Sequence, residues 1–307
     1  TAFEIKANHV QMTYYYLFII LFMVIAYFVK AVREKQLAGF MKSTGVVAAA
    51  AVIGIAINLS SLYHTWQYQK ESMRGKSELV KKDAANQTSS GLDRDYITQW
   101  SYGIDETLTL LVPDAKGGAT VPLSKNATAM AKADPQIQSM IPQLYDAIPQ
   151  YFGTQPGTSG PVYVGAFVLF LFILGLFIVK GPMKWALLAA TILSVLLAWG
   201  HNFMGFTNFF LDYIPMYAKF RTVASILVIA EFTIPLLAAL TLKKIVDEPD
   251  VLSKQMKFAY ISLALTAGVA ALIALFPDMM GPFVSEQERQ MIGSIQGMDG
   301  GTAHTIL

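Results

Sequence analysis

Three histidines and two cations stand beside the ends of long apolar runs, and their side chains could bind a phosphate or move a proton. His9 precedes the first run, His64 follows the second, His201 follows the fourth, and Lys219 and Arg221 precede the fifth. A guanidinium binds phosphate through paired hydrogen bonds, and a lysine adds a point charge. If these run ends share one side of a membrane, the five polar groups converge on one surface.

Each of these groups has more than one interpretation. Lys219 and Arg221 either stabilise a leaving phosphate or extend their charged ends to lipid headgroups. The histidines could be metal ligands, general bases or ordinary interface residues, but they lack a short ligand spacing such as HExxH, so we predict no metal site and identify no cofactor. His9 is the strongest candidate for a base or a phosphate partner because polar residues surround it: Glu4, Asn8 and Gln11.

Four further polar residues are candidates for chemistry or for helix contacts. Asp105 and Glu106 form either a catalytic base held near the membrane or a solvated surface pair. Glu231 lies inside the fifth apolar run, where it either holds the helices together or is reached by a water-filled cavity. Asn58, in the second run, is expected to hydrogen-bond to a neighbouring helix.

Six apolar runs must position these groups. The chain of 307 residues is 54% hydrophobic and 14% charged, whereas a soluble domain is about 25% charged. About 20 apolar residues cross the hydrocarbon core of a bilayer. We therefore predict an all-α integral membrane protein with six transmembrane helices, the fourth being the shortest. The runs are residues 12–29, 46–62, 162–179, 185–199, 223–242 and 258–276.

Lysine and arginine residues set the predicted orientation. They concentrate in the connections after the first, third and fifth runs, so these connections are placed on the cytoplasmic side. The sequence then divides into a lead-in with the first helix pair (1–63), one large extracytoplasmic loop region (64–161), four further transmembrane helices (162–276) and an extracytoplasmic tail (277–307). The predicted partner of most of the surface is membrane lipid.

Charge and cysteine content exclude several classes of protein. A net charge of +2 without a concentrated basic run argues against nucleic-acid binding. The chain contains no cysteine, so it has neither a disulfide framework nor a thiolate metal site.

Four phrases in the sequence resemble the YfhO-type family of bacterial polytopic membrane proteins: ANHVQMTYYY, WSYGIDETLTLLVPD, YFGTQPGTSGPVYVG and MYAKFRT. The resemblance covers nearly the whole chain. It implies a multi-pass protein of the bacterial cytoplasmic membrane, related in architecture to the C-type glycosyltransferases. Those enzymes take a sugar from a polyprenyl-phosphate carrier and transfer it outside the cytoplasmic membrane, here onto cell-envelope polymers.

The same resemblance implies that the chain is an internal fragment. In the C-type enzymes a decisive acidic residue lies in the first extracytoplasmic loop, which this chain does not contain, so the remainder of the same polypeptide is an expected partner. Only His9, within ANHVQ, and Arg221, within KFRT, carry over as residues of the site face.

Three functions follow as alternatives. In a glycosyltransferase, Asp105 or Glu106 would activate the acceptor, while His201, Lys219 or Arg221 would steady the leaving phosphate. In a transporter or flippase of lipid-linked sugars, Glu231 would couple movement to a proton or a headgroup. The sequence shows no pair of interrupted helices at matching positions, the pattern typical of alternating access. The third alternative is a non-catalytic subunit of envelope assembly.

Overall fold

The structure is a computed structural model, and it describes residues 2–7, 9–72, 74–75, 85–88, 91–133, 135 and 144–280. As the composition predicts, this part of the chain is helical; it contains no β-strand, and an isolated bridge joins Pro122 to Pro149. The α-helices are α1 (Ala2–Lys6), α2 (Val10–Arg33), α3 (Leu37–Ile57), α4 (Leu59–Lys70), α5 (Arg94–Thr98), α6 (Ala127–Lys132), α7 (Leu144–Ala147), α8 (Ala166–Ile178), α9 (Met183–Ala198), α10 (Met204–Tyr213), α11 (Val228–Asp247), α12 (Val251–Lys254), α13 (Met256–Leu263) and α14 (Val269–Leu275).

Shorter helical turns connect these elements. A π-helical turn, Ala264–Gly268, lies between α13 and α14. The 3-10 turns are Asp105–Leu110, Leu123–Lys125, Gly200–Phe203, Tyr217–Lys219, Val223–Leu227 and Pro277–Met280.

The chain forms two compact units. The described residues of the first unit lie within 1–101 and 167–262, and those of the second lie within 102–166 and 263–307. The division into four segments made from the sequence stays a prediction, and most of its predicted tail, residues 281–307, lies outside the described residues.

Among the described residues, four helical segments are long and apolar enough to cross a membrane: Val10–Arg33, Leu37–Ile57, Val223–Asp247 and Met256–Leu275. They overlap the first, second, fifth and sixth predicted runs, but α3 begins nine residues before the second run and ends five residues before it does. The third and fourth runs form α8 and α9, which have 13 and 16 residues and are shorter than the usual crossing length of about 20 residues.

A sharp bend explains why α9 is short. The helix pair Met183–Ala198 and Gly200–Tyr213 bends by 107°. Gly200 stands at the bend with φ 45°, and a Cβ there would lie 2.0 Å from Ser101 Oγ. Glycine is the residue that accepts both the left-handed backbone and the close approach. The segment 200–222 therefore contains helix α10.

Helix α11 forms the centre of the first unit. In the most apolar stretch of 18 residues within Val223–Asp247, the segment that contains α11, 56% is buried. The corresponding shares are 17% for α2 and 6% for α3. Its Thr233 hydroxyl lies 2.7 Å from the Thr191 hydroxyl of α9, so these two buried hydroxyls form a hydrogen bond between the helices. The outer faces of α2 and α3 leave large apolar side chains exposed. Long apolar helices with such faces indicate a multi-pass membrane protein.

Candidate functional site

The described part of the first unit contains a cavity of about 590 Å³, which we call the cationic cavity. The start of α2, the second half of α4, residues 72 and 74 and the segment 216–225 contribute to it. Its lining residues are His9, Val10, Gln11, Met12, Thr65, Tyr68, Gln69, Ser72, Arg74, Met216, Lys219, Phe220, Arg221, Thr222 and Ser225.

Two left-handed residues shape one wall of the cavity. Met216 has φ 66° and Thr222 has φ 62°, and together they bracket the 3-10 turn Tyr217–Lys219. For residues with a Cβ this conformation costs on the order of 1–3 kcal/mol each, and it persists where the surrounding contacts fix it. The backbone of this wall is therefore held by its neighbours.

Gln11 supplies part of that support from the first turns of α2. Its side-chain amide lies 2.7 Å from the Arg221 carbonyl oxygen, 3.0 Å from Ser225 Oγ and 2.9 Å from the Tyr15 hydroxyl. The amide N–H of Thr222 donates to the Ile97 carbonyl at 3.1 Å. Residues far apart in the sequence thus fix the position of Arg221.

Arg74 and Lys219 hold each other by reciprocal hydrogen bonds. Lys219 Nζ donates to the Arg74 carbonyl at 2.6 Å, and Arg74 Nε donates to the Lys219 carbonyl at 2.9 Å. Both side chains line the cavity. The sequence interpretation missed Arg74, because it stands in a long polar and charged stretch where no periodicity distinguishes it.

Arg221 is exposed at the cavity, with one end anchored. Its Nη1 donates to the Tyr96 hydroxyl at 2.6 Å, and the guanidinium lies 5.7 Å from the centre of the Tyr96 ring. An arginine side chain carries five N–H donors. The remaining donors can therefore bind an anion while Tyr96 positions the group.

His9 caps the N-terminus of α2. Its Nδ1 accepts a long hydrogen bond from the Met12 amide at 3.4 Å. Since Nδ1 then serves as the acceptor, the neutral imidazole carries its proton on Nε2 and is a donor there. In this state His9 is better suited to bind a phosphate oxygen than to act as a base.

The cavity has no compensating negative charge among the lining residues that the structure describes. Arg74, Lys219 and Arg221 supply three cations, and none of the lining residues is Asp or Glu. The positive end of the helix dipole of α2 adds to this field. Burial lowers the pKa of Lys219 below its ordinary value, so an anion in the cavity would favour its charged form.

An apolar strip adjoins the cavity. The ring of Phe220, a lining residue, lies 5.1 Å from the ring of Tyr14, whose hydroxyl donates to the Pro215 carbonyl at 2.8 Å. From Tyr14 a shallow groove of about 380 Å³ follows α2 along Leu17, Phe18, Ile20, Leu21 and Val24. A polar cavity thus continues into an apolar surface.

The other two described histidines do not line this cavity. His201 is tied to α5 and its following turn, because its Nδ1 lies 3.0 Å from the Thr98 carbonyl and its amide donates to Ser101 Oγ at 2.9 Å. His64 is exposed on α4, with its ring against Tyr63.

Glu106 belongs to the second unit, where it is buried and fully engaged. Its carboxylate accepts hydrogen bonds from the Tyr151 hydroxyl at 2.8 Å, the Gln155 amide at 2.9 Å and the Gly103 amide at 3.0 Å. Burial and the nearby Glu106 charge raise the pKa of Tyr151, which keeps this hydroxyl a donor. These contacts are those of a structural carboxylate.

Asp105 forms an ion pair within the same unit. Its carboxylate lies 2.6 Å from Nζ of the buried Lys116, which also donates to the Met280 carbonyl at 2.6 Å. The pair keeps the buried ammonium compensated.

The two polar residues predicted at membrane depth differ in their surroundings. Asn58 stands at the break between α3 and α4 and donates to the carbonyls of Ala2, in α1, and Gly54. Glu231 is exposed in the first turn of α11, and no hydrogen bond joins its carboxylate to another described residue.

No group of three or more His, Asp or Glu residues in the described part of the chain could hold a metal ion. Comparison of the whole chain with protein-family models, with curated proteins and with solved structures finds no match.

Proposed function

We propose that this chain binds the phosphate of a polyprenyl-phosphate-linked sugar in the cationic cavity, as part of a YfhO-type, C-type-like glycosyltransferase that acts on cell-envelope polymers. One observation carries the proposal. Three cations, uncompensated among the described lining residues, share a cavity that continues into an apolar strip on a membrane-length helix. An anionic headgroup on a long hydrocarbon tail matches both parts.

The residues divide the work of binding. Arg221 binds the phosphate through the N–H donors that do not bond to Tyr96, and Lys219 adds a point charge. His9 donates from Nε2 at the end of α2. The isoprenoid tail follows Tyr14, Phe18 and Leu21 along that helix.

In the transfer step, the acceptor oxygen forms a bond to the anomeric carbon of the sugar. The bond from that carbon to the phosphate oxygen breaks, its electron pair leaves with polyprenyl phosphate, and the acceptor proton passes to a base. The cations stabilise the charge that develops on the leaving phosphate. We assign the base to the acidic residue that the family resemblance places outside this chain, in the remainder of the same polypeptide.

The same proposal includes the membrane arrangement. We propose six crossings of the bacterial cytoplasmic membrane, with α8 and α9 crossing although they are short. The lysine-rich turns after α2, α8 and α11 would then face the cytoplasm, and the cationic cavity would face outside.

Binding and transfer are tested separately. The purified protein in lipid nanodiscs is expected to bind labelled polyprenyl phosphate and to release it to unlabelled polyprenyl phosphate but not to polyprenol. The full-length protein is expected to move sugar from a synthetic polyprenyl-phosphate donor to an acceptor. Equal competition by polyprenol would overturn the phosphate assignment, whereas binding without transfer would favour a transporter, a flippase or an assembly subunit.

The lowered pKa of Lys219 predicts a pH dependence of binding. As the pH rises through this pKa, the ammonium loses its proton, the cavity loses a positive charge and affinity for the phosphate falls. The fall begins at a lower pH than for an ordinary lysine, whose pKa is about 10.4. Binding titrations between about pH 7 and about pH 10 measure it.

Lys219→Arg is the matched variant, because its guanidinium keeps its charge over this range. Its affinity is expected to stay level as the pH rises. An identical alkaline loss in both proteins would show that another group titrates.

A further inference from the structure

A second amphipathic groove lies at the opposite end of α2 from the cationic cavity. It has a volume of about 590 Å³ and runs between the last turns of α2 and the start of α9. Its apolar wall includes Phe22, Ile25 and Val29 from α2, with Ala186 and Ala189 from α9.

The groove ends in positive charge. Lys30 and Arg33 line it beyond the apolar wall, and Glu34 lines the same end. Glu34 lies 3.9 Å from Lys30, a distance at which an exposed ion pair contributes little. Among the described residues, Arg33 has no ion-pair partner. The end of the groove therefore carries two cations and one carboxylate, which leaves a net positive charge.

The dimensions match one leaflet of a bilayer. From Phe22 to Arg33 the groove follows α2 for about 16 Å, since an α-helix rises 1.5 Å per residue. Half of a hydrocarbon core of about 30 Å is about 15 Å. Trp185 lines the groove and is 57% exposed, as is typical of aromatic residues at the level of lipid headgroups.

From this match of length and charge, we propose that the groove binds one anionic phospholipid, with an acyl chain along the apolar wall and its phosphate between Lys30 and Arg33. Basic pockets between membrane helices are suited to such headgroups. The proposal stands apart from the cationic cavity, because no residue lines both.

Native mass spectrometry of the purified protein provides the test, with phosphatidylglycerol and phosphatidylcholine of identical acyl chains as probes. The protein is expected to retain one phosphatidylglycerol roughly tenfold more strongly than phosphatidylcholine, and Lys30→Ala with Arg33→Ala is expected to remove the difference. The matched control is Lys243→Ala with Lys254→Ala, two exposed lysines that do not line the groove.

A third variant tests the groove without changing its charge. Ala189→Phe places a ring in the apolar part and is expected to reduce retention of both lipids. Equal retention of the two headgroups by the unmodified protein would overturn the proposal. An equal loss of the headgroup preference in the control, Lys243→Ala with Lys254→Ala, would also overturn it. Lipid retention that stayed unchanged in both groove variants would do the same.

A fluorescence measurement gives an independent reading. Phosphatidylglycerol with brominated acyl chains is expected to quench Trp185, and the quenched component is expected to vanish in Trp185→Phe. Quenching that persists at full strength in Trp185→Phe would place the bound lipid elsewhere and would contradict the groove.

Discussion

Arg221→Ala is expected to weaken the binding of polyprenyl phosphate by roughly tenfold to a hundredfold. A hydrogen bond to a charged group contributes about 1.5–3 kcal/mol. The Arg221 guanidinium lines the cavity in which the anion would bind. Arg221→Lys is expected to recover part of this loss, because an ammonium keeps the charge but not the paired geometry. Equilibrium competition between labelled and unlabelled carrier in nanodiscs measures both variants.

Lys70→Ala is the matched control for Arg221→Ala. Lys70 ends α4, the helix that contributes Tyr68 and Gln69 to the cavity, but its own side chain contacts Trp66 and Gln67 instead. Its replacement is expected to leave the affinity unchanged. A similar loss in both variants would indicate general surface attraction, and full binding by Arg221→Ala would remove Arg221 from the site.

Glu106→Ala is expected to destabilise the second unit by about 3 kcal/mol or more, because it leaves the buried donors of Tyr151 and Gly103 and the half-buried amide of Gln155 without their acceptor. Trypsin provides the measurement. Lys116 is buried and is protected in the folded unit, whereas Lys132 is exposed. When the unit unfolds and refolds faster than trypsin cuts, the cleavage rate is proportional to the unfolded population. A loss of about 3 kcal/mol raises that population, and with it cleavage after Lys116, by about a hundredfold.

Cleavage after Lys132 is the internal reference, and Asp146→Ala removes an exposed carboxylate of the same unit as a control. The control is expected to leave the rate after Lys116 unchanged. If Glu106→Ala abolished sugar transfer while Lys116 stayed protected from trypsin, the result would support the catalytic role that the sequence predicts for Glu106.

Hydrophobicity predicted the long helices because each of four apolar runs carries enough apolar surface to define a crossing by itself. The fourth run was also predicted to end at residue 199, close to the end of α9 at Ala198, but the sharp bend that follows was not predicted. Gly200 ends α9 because its backbone turns left-handed against Ser101, a residue nearly a hundred positions away. Such a tertiary contact leaves no local pattern in the sequence.

The composition of the cationic cavity was predictable only in part. His9, Lys219 and Arg221 are recognisable because each is a polar residue next to an apolar run. Arg74 is not, since its role rests on a hydrogen bond to the carbonyl of Lys219. Gln11 was recognised only as a polar neighbour of His9, because its hydrogen bond to the Arg221 carbonyl leaves no trace in the sequence. Conversely, His201 looked equivalent to His9, but Thr98 and Ser101 bind it elsewhere.

The 107° bend between α9 and α10 also has a consequence for where chemistry can occur. If α9 crosses the bilayer, α10 lies nearly in the plane of its surface, and it carries a series of aromatic side chains: Phe206, Phe209, Phe210 and Tyr213. Aromatic residues prefer the boundary between lipid tails and headgroups. Because α10 leads directly into residues 214–222, the depth at which its rings settle sets the height of Lys219 and Arg221 above the hydrocarbon. In the function proposed above, the lipid carrier would then meet these cations without leaving its leaflet.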